Sequence, residues 1–182
     1  MIRDEDTIQA LVATVERFVA ERLRPLEAEV SETDQIPPDV VQDMREMGLF
    51  GCIIREEYGG LGLSASTYAK VVERIARVWM SVSGIINSHL IMAACVQCNG
   101  TEAQRQRFLP RFASGELRGG LALTEPDCGT DLQAVRTVAR RDGDHFVING
   151  TKTWISNGVH GQAFAVLVKT DPAAQPRHRG MS

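Results

Sequence analysis

The sequence predicts an α+β protein in which helices occupy residues 1–118 and strands occupy residues 119–182. Three observations carry that reading. Apolar residues recur every three to four positions through most of the first part, the spacing of one helix face. At Gly119 the period becomes strand-like. Turn signals, Asp142-Gly143 and Asn149-Gly150, then separate short apolar runs. Helices followed by strands, without interleaving, point to separate layers or separate domains.

The elements follow in order. An amphipathic helix is expected over residues 4–30, with Ile8, Leu11, Val12, Val15, Phe18, Val19 and Leu23 inward. Pro25 should kink or interrupt it. Ile36-Pro37-Pro38-Asp39 starts a short helix that buries Val40, Val41, Met44 and Met47 and stops at Gly48. A brief apolar run, residues 49–54, precedes the loop Glu56-Glu57-Tyr58-Gly59-Gly60-Leu61-Gly62. Ser64 opens a third helix through Tyr68, Val71, Val72, Ile75, Val78 and Trp79. Residues 82–98 carry almost no charge, yet Asn87, Ser88 and His89 interrupt a run shorter than the about 20 residues of a membrane span. A central core helix is the expectation there. Thr101-Glu102-Ala103-Gln104 is a capping box, which opens a fifth helix running toward Leu109-Pro110. At least five strands are expected: 120–124, 135–141, 145–148, 151–156 pairing back across Asn149-Gly150, and 163–169.

Composition narrows the function classes. A chain of 182 residues can bury roughly 70% of its unfolded surface and hold a core without staples. Twenty Lys+Arg against 23 Asp+Glu give a net charge of −3. A broad basic field is therefore absent, and nucleic acid and anionic membrane are not expected partners. Met1-Ile2-Arg3-Asp4-Glu5-Asp6 has neither the pattern of a signal peptide nor that of a transit peptide. Cys52, Cys95, Cys98 and Cys128 are too sparse for a secreted disulfide scaffold, so the cytoplasm is the expected compartment. Cys95 and Cys98 have the spacing of a redox or zinc pair but lack a second pair, and read as ordinary thiols. No Gly-x-Ser-x-Gly elbow, His-Glu-x-x-His helix or Walker loop occurs. The four histidines have no metal spacing, and His89 reads as a satisfied core residue.

Two segments carry chemistry. Leu121-Ala122-Leu123-Thr124-Glu125-Pro126-Asp127-Cys128-Gly129-Thr130-Asp131 joins a strand to a loop rich in Pro, Gly, Asp and hydroxyls. Such a loop can aim N–H groups and Thr hydroxyls at a ligand held against the strand end. Trp154-Ile155-Ser156-Asn157-Gly158 offers a flat apolar face with a hydroxyl nearby. A large flat heteroaromatic ring with polar edges would suit the pair. An Asx-rich turn and a core Trp account for the same residues without any ligand.

Taken together these residues resemble the acyl-CoA dehydrogenase family, over nearly the whole chain. The resemblance runs through Glu56-Glu57-Tyr58-Gly59-Gly60 with Leu61-Gly62, Gly100-Thr101-Glu102-Ala103-Gln104, Phe108-Leu109-Pro110 and Ala113-Ser114-Gly115-Glu116. It continues through Thr124-Glu125-Pro126 with Gly129-Thr130-Asp131, and through Asn149-Gly150-Thr151-Lys152-Thr153-Trp154-Ile155-Ser156-Asn157-Gly158, the family's flavin-contact hairpin. Two positions depart from the pattern. Arg55 stands where the family usually has Pro, and Cys128 where it usually has Ala, Gly or Ser.

The resemblance implies an N-terminal helical domain, residues 1–118, and an incomplete antiparallel β-barrel-like middle domain, residues 119–182, with the C-terminal helical bundle absent. It implies FAD, with Leu121, Ala122, Leu123 and Thr124 lining the flavin, and Gly129 in the adjoining loop. Thr130 would contact both flavin and acyl-CoA, Trp154 and Ile155 would lie by the isoalloxazine, and Ser156 would bond near N5. In the family reaction a Glu carboxylate removes the α-proton of an acyl thioester and the β-hydrogen leaves as hydride to the flavin, giving a trans-2-enoyl-CoA. Electrons then pass to an electron-transferring flavoprotein. That Glu belongs to the absent bundle, so no catalytic residue is assigned here, and this chain alone is expected to be inactive. Glu125, immediately before Pro126, reads as a structural acceptor, and Glu56 and Glu57 as a solvated edge. The full-length parent is expected to be a homodimer or homotetramer. A non-catalytic half that assembles with a separate C-terminal subunit, and an acyl-CoA oxidase-like flavoenzyme, are the alternatives.

Overall fold

The computed structural model describes residues 4–182. Met1, Ile2 and Arg3 of the amino-terminal run lie outside the described residues. The chain forms two compact units, Met1–Arg118 and Gly119–Ser182.

The first unit is helical. α1 (Glu5–Phe18) begins at Asp4, whose carboxylate accepts from Thr7 N at 2.8 Å. Pro25 interrupts the helix as its chemistry requires, having no N–H and a ring that crowds the preceding turn. The disturbance reaches further back than the proline. Residues Val19–Leu23 widen into a π-helical stretch in which Arg24 N reaches Val19 O, and Arg24–Leu26 tightens to a single 3₁₀ turn before α2 (Glu27–Thr33). α3 (Pro38–Glu46) buries Val40, Val41 and Met44 and leaves Met47 half-buried.

α4 (Ala65–Ala76) starts at Ser64, which accepts from Thr67 N. It ends sooner than the apolar spacing suggests. Trp79 takes an extended conformation, stays buried, and becomes the N-cap of α5 (Met80–Asn99). The capping box of α6 (Glu102–Ala113) is formed, with Thr101 N to Gln104 Oε1 at 2.8 Å and Gln104 N to Thr101 Oγ1 at 3.3 Å. α6 runs past Pro110, where the sequence suggests an end. Leu109 and Phe112 are buried on either side of the proline, and their packing outweighs the lost hydrogen bond.

Among the described residues α5 is the one helix long and apolar enough to cross a membrane, with a mean hydropathy of 1.3. It packs against α4 and α6 and buries Val82, Ile86, His89, Leu90 and Met92. The Leu49–Gly51 turn packs on it as well, while Met80 and Ile91 are exposed. His89 is fully buried between the ring edges of Phe50 and Phe112, with centroids at 5.2 and 5.8 Å. Its Nε2 donates to the Phe112 carbonyl at 3.1 Å, but its Nδ1 is buried without a hydrogen-bond partner, so the ring sits in the core as expected yet is only half satisfied.

The loop after α3 folds on itself through Leu61 N to Gly51 O, Gly62 N to Ile54 O and Leu63 N to Cys52 O. Gly60 is required there, because a Cβ would lie 2.1 Å from the Ile54 carbonyl oxygen. Arg55 keeps a proline-like φ of −61°, but its N–H donates to Gln97 Oε1 at 2.9 Å, a bond no proline could make.

The second unit holds four short strands among the described residues. β1 (Gly119–Ala122) pairs with β4 (Ala163–Val166) in parallel, and β2 (Val138–Asp142) pairs with β3 (His145–Asn149) antiparallel. The β2–β3 pair is the antiparallel arrangement expected; the parallel β1–β4 pair is not visible in the patterning. Asp142 pairs with His145, so the turn uses Gly143 and Asp144, with Gly143 at φ +61°. The chain after β4 joins the pairs. Leu167 N bonds Ala122 O, Lys169 bridges Val138, and residues 180–182 run back along 168–169.

The hairpin expected at Asn149-Gly150 does not form, and residues 151–156 are not a strand. Gly150 lies at φ +156°, far from the left-handed turn value, with its backbone against Thr137. Lys152 and Thr153 are instead drawn to residues 123–125 by hydrogen bonds. Phe146, Val147 and Ile148 of β3 are exposed, as is Val166 of β4.

Burial lowers the His89 pKa to about 4 from the ordinary 6.5, against the pull of the nearby backbone carbonyls. The folded state therefore binds fewer protons than the unfolded one between those values. Stability of the first unit is full above pH 6.5 and falls as pH drops toward 4, by about 3 kcal/mol. Urea titrations followed by Trp79 emission should show this slope, and His89→Gln should flatten it between pH 6.5 and 4.5.

Candidate functional site

The site is built within the second unit around a carboxylate. Glu125 is 6% exposed and stands just past the end of β1. Its Oε2 accepts from Arg136 N at 2.6 Å, and its Oε1 accepts from Thr137 N, Thr137 Oγ1 and Lys152 Nζ. Desolvation alone would raise its pKa, but these donors together outweigh it and hold the value at about 2. A carboxylate so held is a structural acceptor, as the turn position suggested, and a poor base. The backbone closes the same turn through Glu125 N to Cys128 O at 2.9 Å and Cys128 N to Glu125 O at 3.2 Å. Cys128 is thereby turned inward and buried.

The Lys152–Gly158 segment lies along this structure. Lys152 Nζ donates to Leu123 O at 2.9 Å, and Thr153 N donates to Thr124 O at 2.9 Å. Further on, Asn157 Nδ2 donates to Gly119 O at 2.8 Å. Between these anchors Trp154 is 93% exposed and sits at φ +57°. A bulky residue at positive φ costs about 1–3 kcal/mol and persists only where its surroundings fix it. Nothing in the packing of the second unit repays that cost, since the indole touches water. Thr153 Oγ1, next to it, is buried with no partner.

The predicted residues divide into two groups. Leu121 and Ala122 lie on β1, and Leu123 and Thr124 extend it to the point where Lys152 and Thr153 bond. Trp154, Ile155 and Ser156 follow on the anchored loop, where Ile155 O accepts from Gly158 N. These two stretches are brought together. Gly129 and Thr130 are exposed beyond the Glu125–Cys128 turn, and among the described residues no hydrogen bond joins them to the Trp154 loop. A Cβ at Gly129 would meet open space. Lys152, Asn157 and Thr137 also enter the site, although no motif gives any of them an individual role. The signal for Lys152 was its place inside an otherwise uncharged run, Gly150–Val159, directly before Thr153 and the Trp.

Comparison with known proteins decides the family. Residues 5–116 match the model for the acyl-CoA dehydrogenase N-terminal domain, and residues 120–182 match that for the acyl-CoA dehydrogenase middle domain. The chain belongs to the acyl-CoA dehydrogenase family. The (2S)-methylsuccinyl-CoA dehydrogenase of Cereibacter sphaeroides is 38% identical over 167 residues, which is 91% of this chain and 30% of that protein. The crystal structure of acyl-CoA dehydrogenase from Geobacillus kaustophilus is 34% identical with a TM-score of 0.89, covering 100% of this chain and 47% of that one. A glutaryl-CoA dehydrogenase from Mycobacterium smegmatis, solved in complex with FADH2, is 31% identical with a TM-score of 0.85, covering 92% of this chain and 43% of that one. The chain thus spans less than half the length of each of these family members.

Removing the carboxylate leaves the Lys152 ammonium enclosed without its counter-charge. Glu125→Ala should destabilise the second unit by about 3–5 kcal/mol, read as faster amide exchange across β1 and β2. In the parent sequence the stabilisation from Glu125 is full above pH 4.5 and is lost as pH falls toward about 2.

Proposed function

We propose that this chain forms the flavin- and acyl-CoA-contacting part of an FAD-dependent acyl-CoA dehydrogenase. The observation that carries the reading is Trp154, held in water at positive φ by anchors on both sides. A flat ring laid on that indole would bury it and use the strain already present. The unpartnered Thr153 Oγ1 and the hydroxyls of Thr124 and Ser156 suit a ring with polar edges. The residues therefore fit a flavin.

In this reading Leu121, Ala122 and Leu123 supply the wall of the site and Thr124 its hydroxyl edge. Trp154 and Ile155 cover the ring and exclude water, and the Ser156 hydroxyl bonds to it. Gly129 keeps the adjoining loop open, and Thr130 presents a hydroxyl to both flavin and thioester. FAD, when bound, supplies the two-electron oxidation that turns an acyl-CoA into a trans-2-enoyl-CoA. Glu125 takes no part as base, because its oxygens are already committed to four donors. We assign no catalytic residue to this chain, and place the reaction in a cytoplasmic homo-oligomeric parent that passes electrons to an electron-transferring flavoprotein.

Titration with FAD, followed by the 450 nm band and flavin fluorescence, tests the site. Trp154→Ala should weaken binding about tenfold, and Ser156→Ala by a smaller factor. Equal affinity in wild type and Trp154→Ala would reject the assignment. In the parent protein, anaerobic addition of acyl-CoA should bleach the 450 nm band, and rapid peroxide formation in air would point to an oxidase instead.

A further inference from the structure

Lys152 is unusual in this chain before its position is considered. The sequence holds 17 arginines and 3 lysines. One of those three occupies an enclosed position, its side chain 12% exposed beside the 5% of Glu125. Nζ donates to the Leu123 carbonyl and to Glu125 Oε1, both at 2.9 Å. An ammonium carries its donors around a single nitrogen and can serve two nearby acceptors from one point. A guanidinium spreads its donors along a planar fork and does not substitute freely for that.

The residues after Lys152 depend on this bridge. Thr153 N bonds Thr124 O, and Trp154 comes next at positive φ. Glu125 is itself fixed by the Arg136 and Thr137 amides, so the anchor holds still while Lys152 pulls against it. Asn157 secures the loop's other end on Gly119.

We propose that Lys152 is the positioning residue of this site. Its ammonium, clamped between the Leu123 carbonyl and Glu125, fixes Trp154 relative to the Leu123–Thr124 edge. The two sides of the ring site are thereby held in register before any ligand arrives. The purpose of this arrangement rests on the flavin reading; the clamp itself does not.

Amide hydrogen exchange on the wild-type chain, Lys152→Met and Lys152→Arg tests it. In Lys152→Met the Thr153 amide should exchange about tenfold faster while α5 amides keep their rates. Lys152→Arg keeps a positive charge beside Glu125 and so secures a folded second unit. Its Thr153 amide should still exchange about threefold faster or more, because the fork does not reproduce the bridge. An unchanged Thr153 rate in either folded variant overturns the proposal. In parallel, FAD should bind Lys152→Met about tenfold more weakly than wild type. Equal FAD affinity in wild type and Lys152→Met overturns the positioning role. If the wild-type chain takes up no FAD while Thr153 exchange still accelerates in both variants, the flavin reading falls and the clamp stands.

Discussion

A carboxylate removed from water must recover its lost solvation from donors close by, and Glu125 recovers it from four within the second unit. Those donors come from two separate stretches of chain, the two residues just before β2 and the segment that leaves β3. The turn after β1, the approach to β2 and the start of the Trp154 loop are therefore tied to one another through a single side chain. Short strands of four or five residues have little stability of their own. A buried charge with directional partners gives them a fixed arrangement that apolar contacts between such short strands would leave loose.

The first unit is organised by the opposite means. Its central helix owes its place to apolar packing around His89, Phe50 and Phe112, and the imidazole is kept neutral by that burial. One unit thus keeps a histidine uncharged in its core, while the other keeps a carboxylate ionised. Four donors outweigh the desolvation of the carboxylate, whereas the carbonyl acceptors near the imidazole do not outweigh its desolvation.

How much of this was legible in the sequence varies with the range of the interaction involved. The capping box at Thr101 and the cap at Ser64 are local chemistry, and both formed where the residues indicated. The apolar spacing of Ile8, Val15 and Phe18 likewise named a buried face. Non-local partners decided the rest. Asn149-Gly150 carries a strong turn signal, but Lys152 and Thr153 find acceptors at residues 123–125 and straighten the chain away from a turn. Pro110 carries a stop signal, but Phe112 has a core to enter. For the candidate site, the sequence marked the Leu123–Thr124 and Trp154 segments separately. It could not show that a lysine two residues before the Trp joins them, because the link runs from one side chain to acceptors 27 and 29 residues away.

Arg55 shows how such links constrain later change. Its backbone already has the angles of a proline, so the ring would enter without strain. Gln97, however, has committed its side chain to this stretch, accepting from Arg55 N and donating to Ile53 O. Substituting proline first would leave the glutamine oxygen without its donor; replacing Gln97 first would remove that obstacle. The two positions, 42 residues apart, are therefore coupled, so that the effect of proline at position 55 depends on which residue stands at position 97.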